Sequence, residues 1–538
     1  MNEHANNTQT SDQIRWGMTV DLNRCVGCQT CTIACKHAND TTPGVQWRSV
    51  IDVESGEYPD VQRLFLVTGC QHCAEPSCVP VCPTGATKQR ADGLVTMDYE
   101  LCIGCASCAV ACPYQARTIV HDPGFYYGTE TVQERAVAHD DRIGVAQKCT
   151  FCITRVDDGL AAGLSPGIDV DATPACAASC IASAITFGDF NDAESPVSKL
   201  AEANDYFQMH KELGNDPQIR YLYQTPSVPG RDPEEPDQYD EEPPEGALTG
   251  KLQTFWDMRA AMNFILGGLG SGTVVIAYLL SLTGDIPFMG LRIVFSIAAA
   301  VMAVGLFFVW LKIGRKLRAA YVILRPHSSW MSREVYAVAV LAAGLLGAWT
   351  LPHPGWLALA ALGAALFLYA QARILQAGKG IPAWRTPRMI WMLILSGLAE
   401  GTGLNAVIAG LFPQFLPAGF ALPITGIVLV VAAASLWRAY VDGAKECGIG
   451  AAARTVLAKA TPRLYVIGHL APIVGYFGLI AWTAAPIWLF AVPGALVIAG
   501  GAYWKAVVIT RAAHFQGFAL AKYPGRGSGR LAAPLSLN

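Results

Sequence analysis

The apolar and polar positions of this chain divide it into two unlike halves. Up to about residue 250 it is polar, cysteine-rich and turn-rich, and beyond residue 260 it becomes a series of long apolar runs broken by short basic loops. Eight of these runs, near 261–282, 291–311, 334–352, 356–374, 389–411, 420–437, 465–484 and 486–504, reach the roughly 20 residues that a helix needs to cross hydrocarbon. A soluble domain does not carry eight such runs joined only by short loops. The whole-chain averages, 52% hydrophobic, 15% charged and a net charge of -3, conceal this division.

The loop charges are one-sided. Lys312, Arg315, Lys316, Arg318, Arg325 and Arg333 follow the second run, Arg373, Lys379, Arg385 and Arg388 the fourth, and Arg438, Lys445, Arg454, Lys459 and Arg463 the sixth. Lys505, Arg511, Lys522, Arg526 and Arg530 follow the eighth, while the alternate connections carry almost nothing beyond Arg292 at the edge of a span. The positive-inside rule then puts the basic face, both termini and the polar half in the cytoplasm. The opening MNEHANNTQTSDQIRWG has neither an apolar h-region nor a twin arginine, which agrees with that orientation. The expected divisions are a disordered N-terminus at 1–15, a cysteine-rich domain at 16–225, an acidic, proline-rich and solvated linker at 226–255, an eight-helix bundle at 256–515, and a cytoplasmic tail at 516–538.

Sixteen of the seventeen cysteines precede residue 181 and fall into four groups. They are Cys25, Cys28, Cys31 and Cys35; Cys70, Cys73, Cys78 and Cys82; Cys102, Cys105, Cys108 and Cys112; and Cys149, Cys152, Cys176 and Cys180. The first and third have the C-x2-C-x2-C-x3-C spacing of bacterial ferredoxins, in which the remote fourth cysteine ligates a different cluster. Pro83 and Pro113 complete the C-P signature in the middle two groups, where Lys36 and Ile181 stand in the outer two. A disulfide framework would require an oxidising compartment. Zinc remains an alternative for the group of Cys149, Cys152, Cys176 and Cys180. The predicted fold is an α+β ferredoxin-like domain with four 4Fe-4S clusters, followed by an all-α polytopic bundle of eight transmembrane helices.

Four clusters carry one electron at a time and make a wire between a chemical site elsewhere and a second redox partner. The bilayer suggests a quinone as that second partner. At the cytoplasmic start of the third span His327, Ser328, Trp330, Arg333 and Glu334 offer an aromatic wall, donors and titratable groups for its head group, although basic and aromatic residues there also serve as interface anchors. Glu400, twelve residues past Arg388, lies roughly 18 Å deep. An acid at that depth is a functional candidate, or else a protonated side chain bonded to Asn405 or a serine. His469, just inside the seventh span, is a further candidate. Cys447 stands alone in a basic loop and reads as a plain thiol, and GGLGSG and GLLGAW read as close-packing stretches.

The four groups, PGVQWRSV, GCQHCAEPSCVPVCPTGATKQRADGLV and FQMHKELGNDPQIRYLY resemble the iron-sulfur subunit of DMSO-reductase-type molybdenum oxidoreductases. The eight-span half, with RPHSSWMSREVY, resembles that family's membrane anchor, so the chain looks like a fusion of two subunits. The resemblance implies cross-ligation. Cys25, Cys28 and Cys31 would share a cluster with Cys180, and Cys149, Cys152 and Cys176 with Cys35. Cys70, Cys73 and Cys78 would share one with Cys112, and Cys102, Cys105 and Cys108 one with Cys82. It also implies a separate catalytic subunit carrying molybdopterin guanine dinucleotide, a place in the bacterial inner membrane, and no nucleic-acid partner. RCVGCQTCTIACKHANDTTPGVQWR looks most like the cytoplasm-facing sulfite:quinone and phenylacetyl-CoA:acceptor oxidoreductases. Sulfite oxidation is the preferred reading. The alternatives are phenylacetyl-CoA oxidation, a DMSO-type reductase that oxidises quinol, or a wire in a respiratory complex without molybdenum.

Overall fold

In the computed structural model of the chain, the described residues are 14–55, 62–223, 248–284, 286–416, 419, 421–482 and 484–518. Most of the expected disordered N-terminus, of the linker and of the tail lies outside them; Arg15, placed in that N-terminus, is ordered and buried, its backbone N–H donating to Asp189 at 2.7 Å.

The cysteine-rich half is closed by a four-stranded sheet in which the strand Trp16–Asp21 pairs antiparallel with Ile185–Asp189 and parallel with Ile219–Leu222. The short strand Tyr206–Phe207 completes the sheet beside Ile219–Leu222. Alternation puts Met18 and Val20 inward, against Phe187 and Tyr221. The first strand thus lies between strands from the end of the domain, and the cysteine loops are gathered between them. A hairpin of Arg48–Ser55 and Gln62–Gly69 packs over the first loop, with Phe65 lying where a Cβ on Gly27 would fall.

Among the described residues, eight helices are long and apolar enough to cross a membrane. They are α1 (Met258–Ser281), α2 (Phe288–Lys312), α3 (Trp330–Thr350), α4 (Pro354–Gln376), α5 (Arg388–Leu411), α6 (Ala421–Asp442), α7 (Ala451–Ala481) and α8 (Ile487–Thr510). The fold is therefore the ferredoxin-type domain followed by the eight-helix region that the hydropathy pattern predicts. α7 is longer than the apolar run suggested, because a more polar helical stretch, Ala451–Arg463, precedes a π-helical segment at Leu464–Leu470. Lys505 is not in a loop. It lies inside α8 and is wholly buried, since the helix continues six residues past the end of the apolar run.

The basic loops form a seat for the cysteine-rich domain. Arg315 donates from its backbone to the Ile103 carbonyl at 3.1 Å and from its guanidinium to the carbonyls of Ile143 (2.8 Å) and Asp140 (2.6 Å). Arg318 donates to Tyr99 O at 2.8 Å, and the Gly380 N–H to Val110 O at 3.0 Å. Gly144 is the closest point of approach: a Cβ on Gly104 or on Gly314 would stand 2.1 Å from its carbonyl oxygen. The end of the expected linker is packed rather than solvated. Leu252 bridges to His514, the Phe515 N–H donates to Lys251 O at 2.9 Å, and the Phe518 N–H donates to Leu248 O at 2.7 Å. From there Gly517 O accepts from His210 Nε2 of the cysteine-rich domain at 2.6 Å.

Gly314→Leu is expected to lift the domain from its seat, speeding hydrogen exchange of the amides around residues 99–106. Gly478→Leu, where no atom lies within 4 Å of an added Cβ, serves as the control. Equal exchange in the two variants would contradict the account of the seat.

Candidate electron-transfer site

The four cysteine loops share one backbone device. The residue before the second cysteine is left-handed in every group: Gly27 (φ 71°), His72 (φ 41°), Gly104 (φ 70°) and Phe151 (φ 55°). Glycine adopts this conformation freely, whereas histidine and phenylalanine are strained there. The strain is held by packing, because His72 and Phe151 stack with ring centroids 3.8 Å apart. A turn of this kind directs successive N–H groups into one concavity, which suits an anionic iron-sulfur group.

Two cavities are lined by four cysteines each. One is bordered by Cys25, Cys28, Cys31 and Cys180, and the other by Cys70, Cys73, Cys78 and Cys112. The remaining eight thiols also fall in two neighbourhoods. Burial, followed by Cys149 and Cys176 and then Cys152, pushes the Cys35 thiol well up. Burial raises Cys108 likewise, and its thiol neighbours are Cys102, Cys82 and Cys105. Burial also pushes Cys112 up to about 12 and Cys149 up to about 11. Buried thiols of this kind ionise when a metal supplies the opposite charge. Among the described residues no three His, Cys, Asp or Glu side chains converge tightly enough for a single ion. The cavities suit a larger group.

The surrounding charge points the same way. Arg15, Arg48, Arg117 and Lys148 are all buried, and among the described residues of this half no carboxylate is buried with them. A buried charge without a partner is costly. Arg48 Nε and Nη1 and Arg117 Nη2 have no hydrogen-bond partner. Burial opposes the charge of Arg48, and Cys176, Cys149, Cys31 and Cys35 outweigh it once they are ionised, which holds the guanidinium protonated. Around Arg117 the same balance is struck by Cys108, Cys78, Cys70 and Cys112. Anionic iron-sulfur groups among these thiols are the counter-charge that the cations lack.

The proposed head-group residues separate into two places. At the seat, Trp330 lines a small cavity together with Val81, Ser107, Val110 and Trp256, directly beneath the cysteine loops. Arg333 lies over its ring at 4.1 Å but is tied to the carbonyls of Pro326 and His327, each at 2.8 Å. His327 is exposed and Ser328 half-buried. One turn deeper, buried Glu334 accepts from Asn263 Nδ2 of α1 at 3.1 Å, and Gln371 Nε2 of α4 donates to Asn263 O at 2.8 Å. Asn263 Oδ1 and Gln371 Oε1 are buried without partners.

Glu400 and His469 instead line a separate cavity among α5, α6, α7 and α8, with Trp437 and Trp504. Glu400 Oε2 meets Lys505 Nζ at 2.8 Å, its Oε1 accepts from Ser396 at 2.6 Å, and Trp504 Nε1 donates to Ser396 at 2.8 Å. Glu400 thus bonds a serine of its own helix and meets a lysine rather than standing as an isolated protonated acid, and Asn405 does not reach it, because Asn405 Nδ2 donates to the carbonyls of Thr273 and Gly401. Sequence reasoning missed Lys505, Asn263 and Gln371. The polar side chains of the last two, inside apolar runs, were the available signal.

The family described as 4Fe-4S dicluster domain matches residues 61–126. The chain is 37% identical over 227 residues to a selenate reductase subunit of Mesobacillus selenatarsenatis, a match covering 39% of this chain and 73% of that one. It is 39% identical over 232 residues to a putative dimethyl sulfoxide reductase iron-sulfur subunit of Halobacterium salinarum, covering 40% and 81%. It is 36% identical over 234 residues to a sulfite dehydrogenase subunit of Allochromatium vinosum, covering 40% and 87%. Fold and site thus define an electron-transfer protein binding 4Fe-4S clusters. The chain belongs to the iron-sulfur subunit family of DMSO-reductase-type molybdoenzyme complexes, in which it is the electron-transfer subunit.

Glu400→Leu alone is expected to cost about 3–5 kcal/mol, as breaking a buried pair does, and the double variant with Lys505→Met to regain most of it. Thermal unfolding in detergent checks this, and additive losses would contradict the pairing.

Proposed function

We propose that this chain is both the wire and the anchor of such a complex, joining a molybdopterin-containing catalytic subunit to the quinone pool. The proposed ligands are Cys25, Cys28, Cys31 and Cys180; Cys149, Cys152, Cys176 and Cys35; Cys70, Cys73, Cys78 and Cys112; and Cys102, Cys105, Cys108 and Cys82. Bound there, four 4Fe-4S clusters would supply one-electron transfer. The observation that carries the reading is that the third cysteine loop rests on the bundle: Trp256 Nε1 donates to Cys105 O at 3.1 Å, above the cavity of Trp330.

The first group opens at the other end of the domain. Cys28 is exposed there, and Val26 (54% exposed), Ile33 (62%) and Ile181 (71%) are exposed close in sequence to Cys25, Cys31 and Cys180. Exposed apolar side chains beside a solvent-facing ligand suit contact with the catalytic subunit. The groups then run from one to four to two to three, ending at the bundle. Cys70 is among the charges acting on Cys149, which supports the middle step.

At the membrane end, Trp330 would wall the quinone head group. Asn263 and Gln371 would orient it, and Glu334 would exchange the proton that quinone chemistry requires. Arg315 and Arg318 grip the domain from the same basic loops that the positive-inside rule assigns to the cytoplasm. That orientation supports a cytoplasmic catalytic partner, and sulfite, oxidised to sulfate, is the proposed substrate. A relative named as part of a sulfite dehydrogenase supports the choice.

Cys25→Ser and Cys180→Ser are expected to remove the same electron paramagnetic resonance signal. Loss of two different signals would refute the ligation. Glu334→Gln is expected to slow quinone reduction by on the order of 100-fold with all cluster signals retained. An unchanged rate would move the head group elsewhere. Purified with its partner, the complex should reduce quinone with sulfite, and reduction with phenylacetyl-CoA alone would replace that substrate.

A further inference from the structure

Three buried cations occupy the junctions between successive cysteine groups. Arg48, 1% exposed, approaches Cys176 of the fourth group, with Nη2 3.8 Å from its Sγ, and Cys31 of the first is among its thiol neighbours. Lys148, wholly buried, donates to Cys149 O of the fourth group at 2.7 Å and to the carbonyl of Val95, a residue that borders the cavity of the second. Arg117, 4% exposed, borders that same cavity and has Cys108 of the third group among its neighbours. Its Nη1 donates to Thr87 Oγ1 at 3.2 Å.

A purely structural arginine satisfies its donors, because an unpaired buried N–H is costly. Arg48 leaves Nε and Nη1 free among cysteines, and Arg117 leaves Nη2 free. The neutral alternative, a buried carboxylate partner, is absent among the described residues of this half.

We infer that Arg48, Lys148 and Arg117 form a cationic spine, one charge at each junction of the wire, which raises the reduction potentials of the clusters on either side. The inference rests on the four-cluster reading above. A cluster that accepts one electron gains one negative charge, and a fixed positive charge nearby in a low-dielectric interior stabilises that gain. The electron that arrives at one site leaves for the next, and the cations are neither oxidised nor reduced. Without the spine, successive reductions along one buried line would be opposed by the charge already there.

The test is a redox titration followed by electron paramagnetic resonance on the intact complex in its native membrane, with each signal first assigned by Cys→Ser substitution. If Cys25→Ser and Cys180→Ser remove different signals, the ligation reading fails at that stage, separately from the spine. Arg48→Gln is expected to shift the signals of the first and fourth groups to lower potential and to leave that of the third unmoved. Arg117→Gln should shift the second and third and spare the first. Lys148→Gln should shift the fourth and second. Arg48→Lys and Arg117→Lys should stay near the wild-type potentials. Where a Gln variant loses iron, retention of iron by the Lys variant supports the role of charge. Equal shifts in the Gln and Lys variants, no shift, shifts in the wrong pair, or iron loss in both variants would overturn the spine.

Discussion

Positive charge buried with no buried carboxylate beside it among the described residues is the constraint on which the cysteine-rich half depends. Arg48, Arg117 and Lys148 are drawn into a core that also holds most of sixteen cysteines, and a protein interior tolerates such charges only beside anions. The thiols alone do not provide them, since burial pushes most of them toward the neutral form. Metal binding reverses that balance by taking up thiolate. Folding and cluster assembly are thus coupled here as parts of one electrostatic problem, and the left-handed turns at Gly27, His72, Gly104 and Phe151 aim backbone N–H groups to the same end.

The junction of the two halves follows a different logic. It is made chiefly from backbone, with arginine forks on carbonyls and glycines in contact, so its geometry is set by main-chain shape. The third cysteine loop is thereby fixed on the bundle through Trp256, which stacks on Trp384 at 5.4 Å, while Trp384 Nε1 donates to Val508 O at 2.9 Å. The indole pair connects the cysteine loop rigidly to α8, the helix that carries Lys505. Electron transfer is sensitive to distance, and a junction of this kind keeps that distance fixed.

The eight spans and the ferredoxin-type domain were legible because both signals are local: unbroken apolar runs in one half and short cysteine spacings in the other. Features that depend on chain crossing were not. The Glu400–Lys505 pair joins α5 to α8 across 105 positions, and Lys505 looked like a loop charge because the apolar run ends just before it. The shared turn of the four loops was hidden because two of its left-handed residues are His72 and Phe151 rather than glycine. His327, Ser328, Trp330, Arg333 and Glu334 were neighbours in sequence, and the structure keeps them near the seat. Glu400 and His469 were singled out by their places within the fifth and seventh spans, and the packing of α5 to α8, which sequence does not give, puts them in a separate cavity. The end of the linker looked solvated because its composition is polar, yet its backbone pairs with residues 513–518.

The most direct measurement is iron, acid-labile sulfide and molybdenum content of the complex purified anaerobically in mild detergent, with its subunits identified. About sixteen irons per chain, matched by sulfide, with one molybdenum in a large co-purifying subunit is the result this account predicts. Eight irons or fewer in an intact preparation, zinc in any of the four groups, or a partner without molybdenum would contradict it.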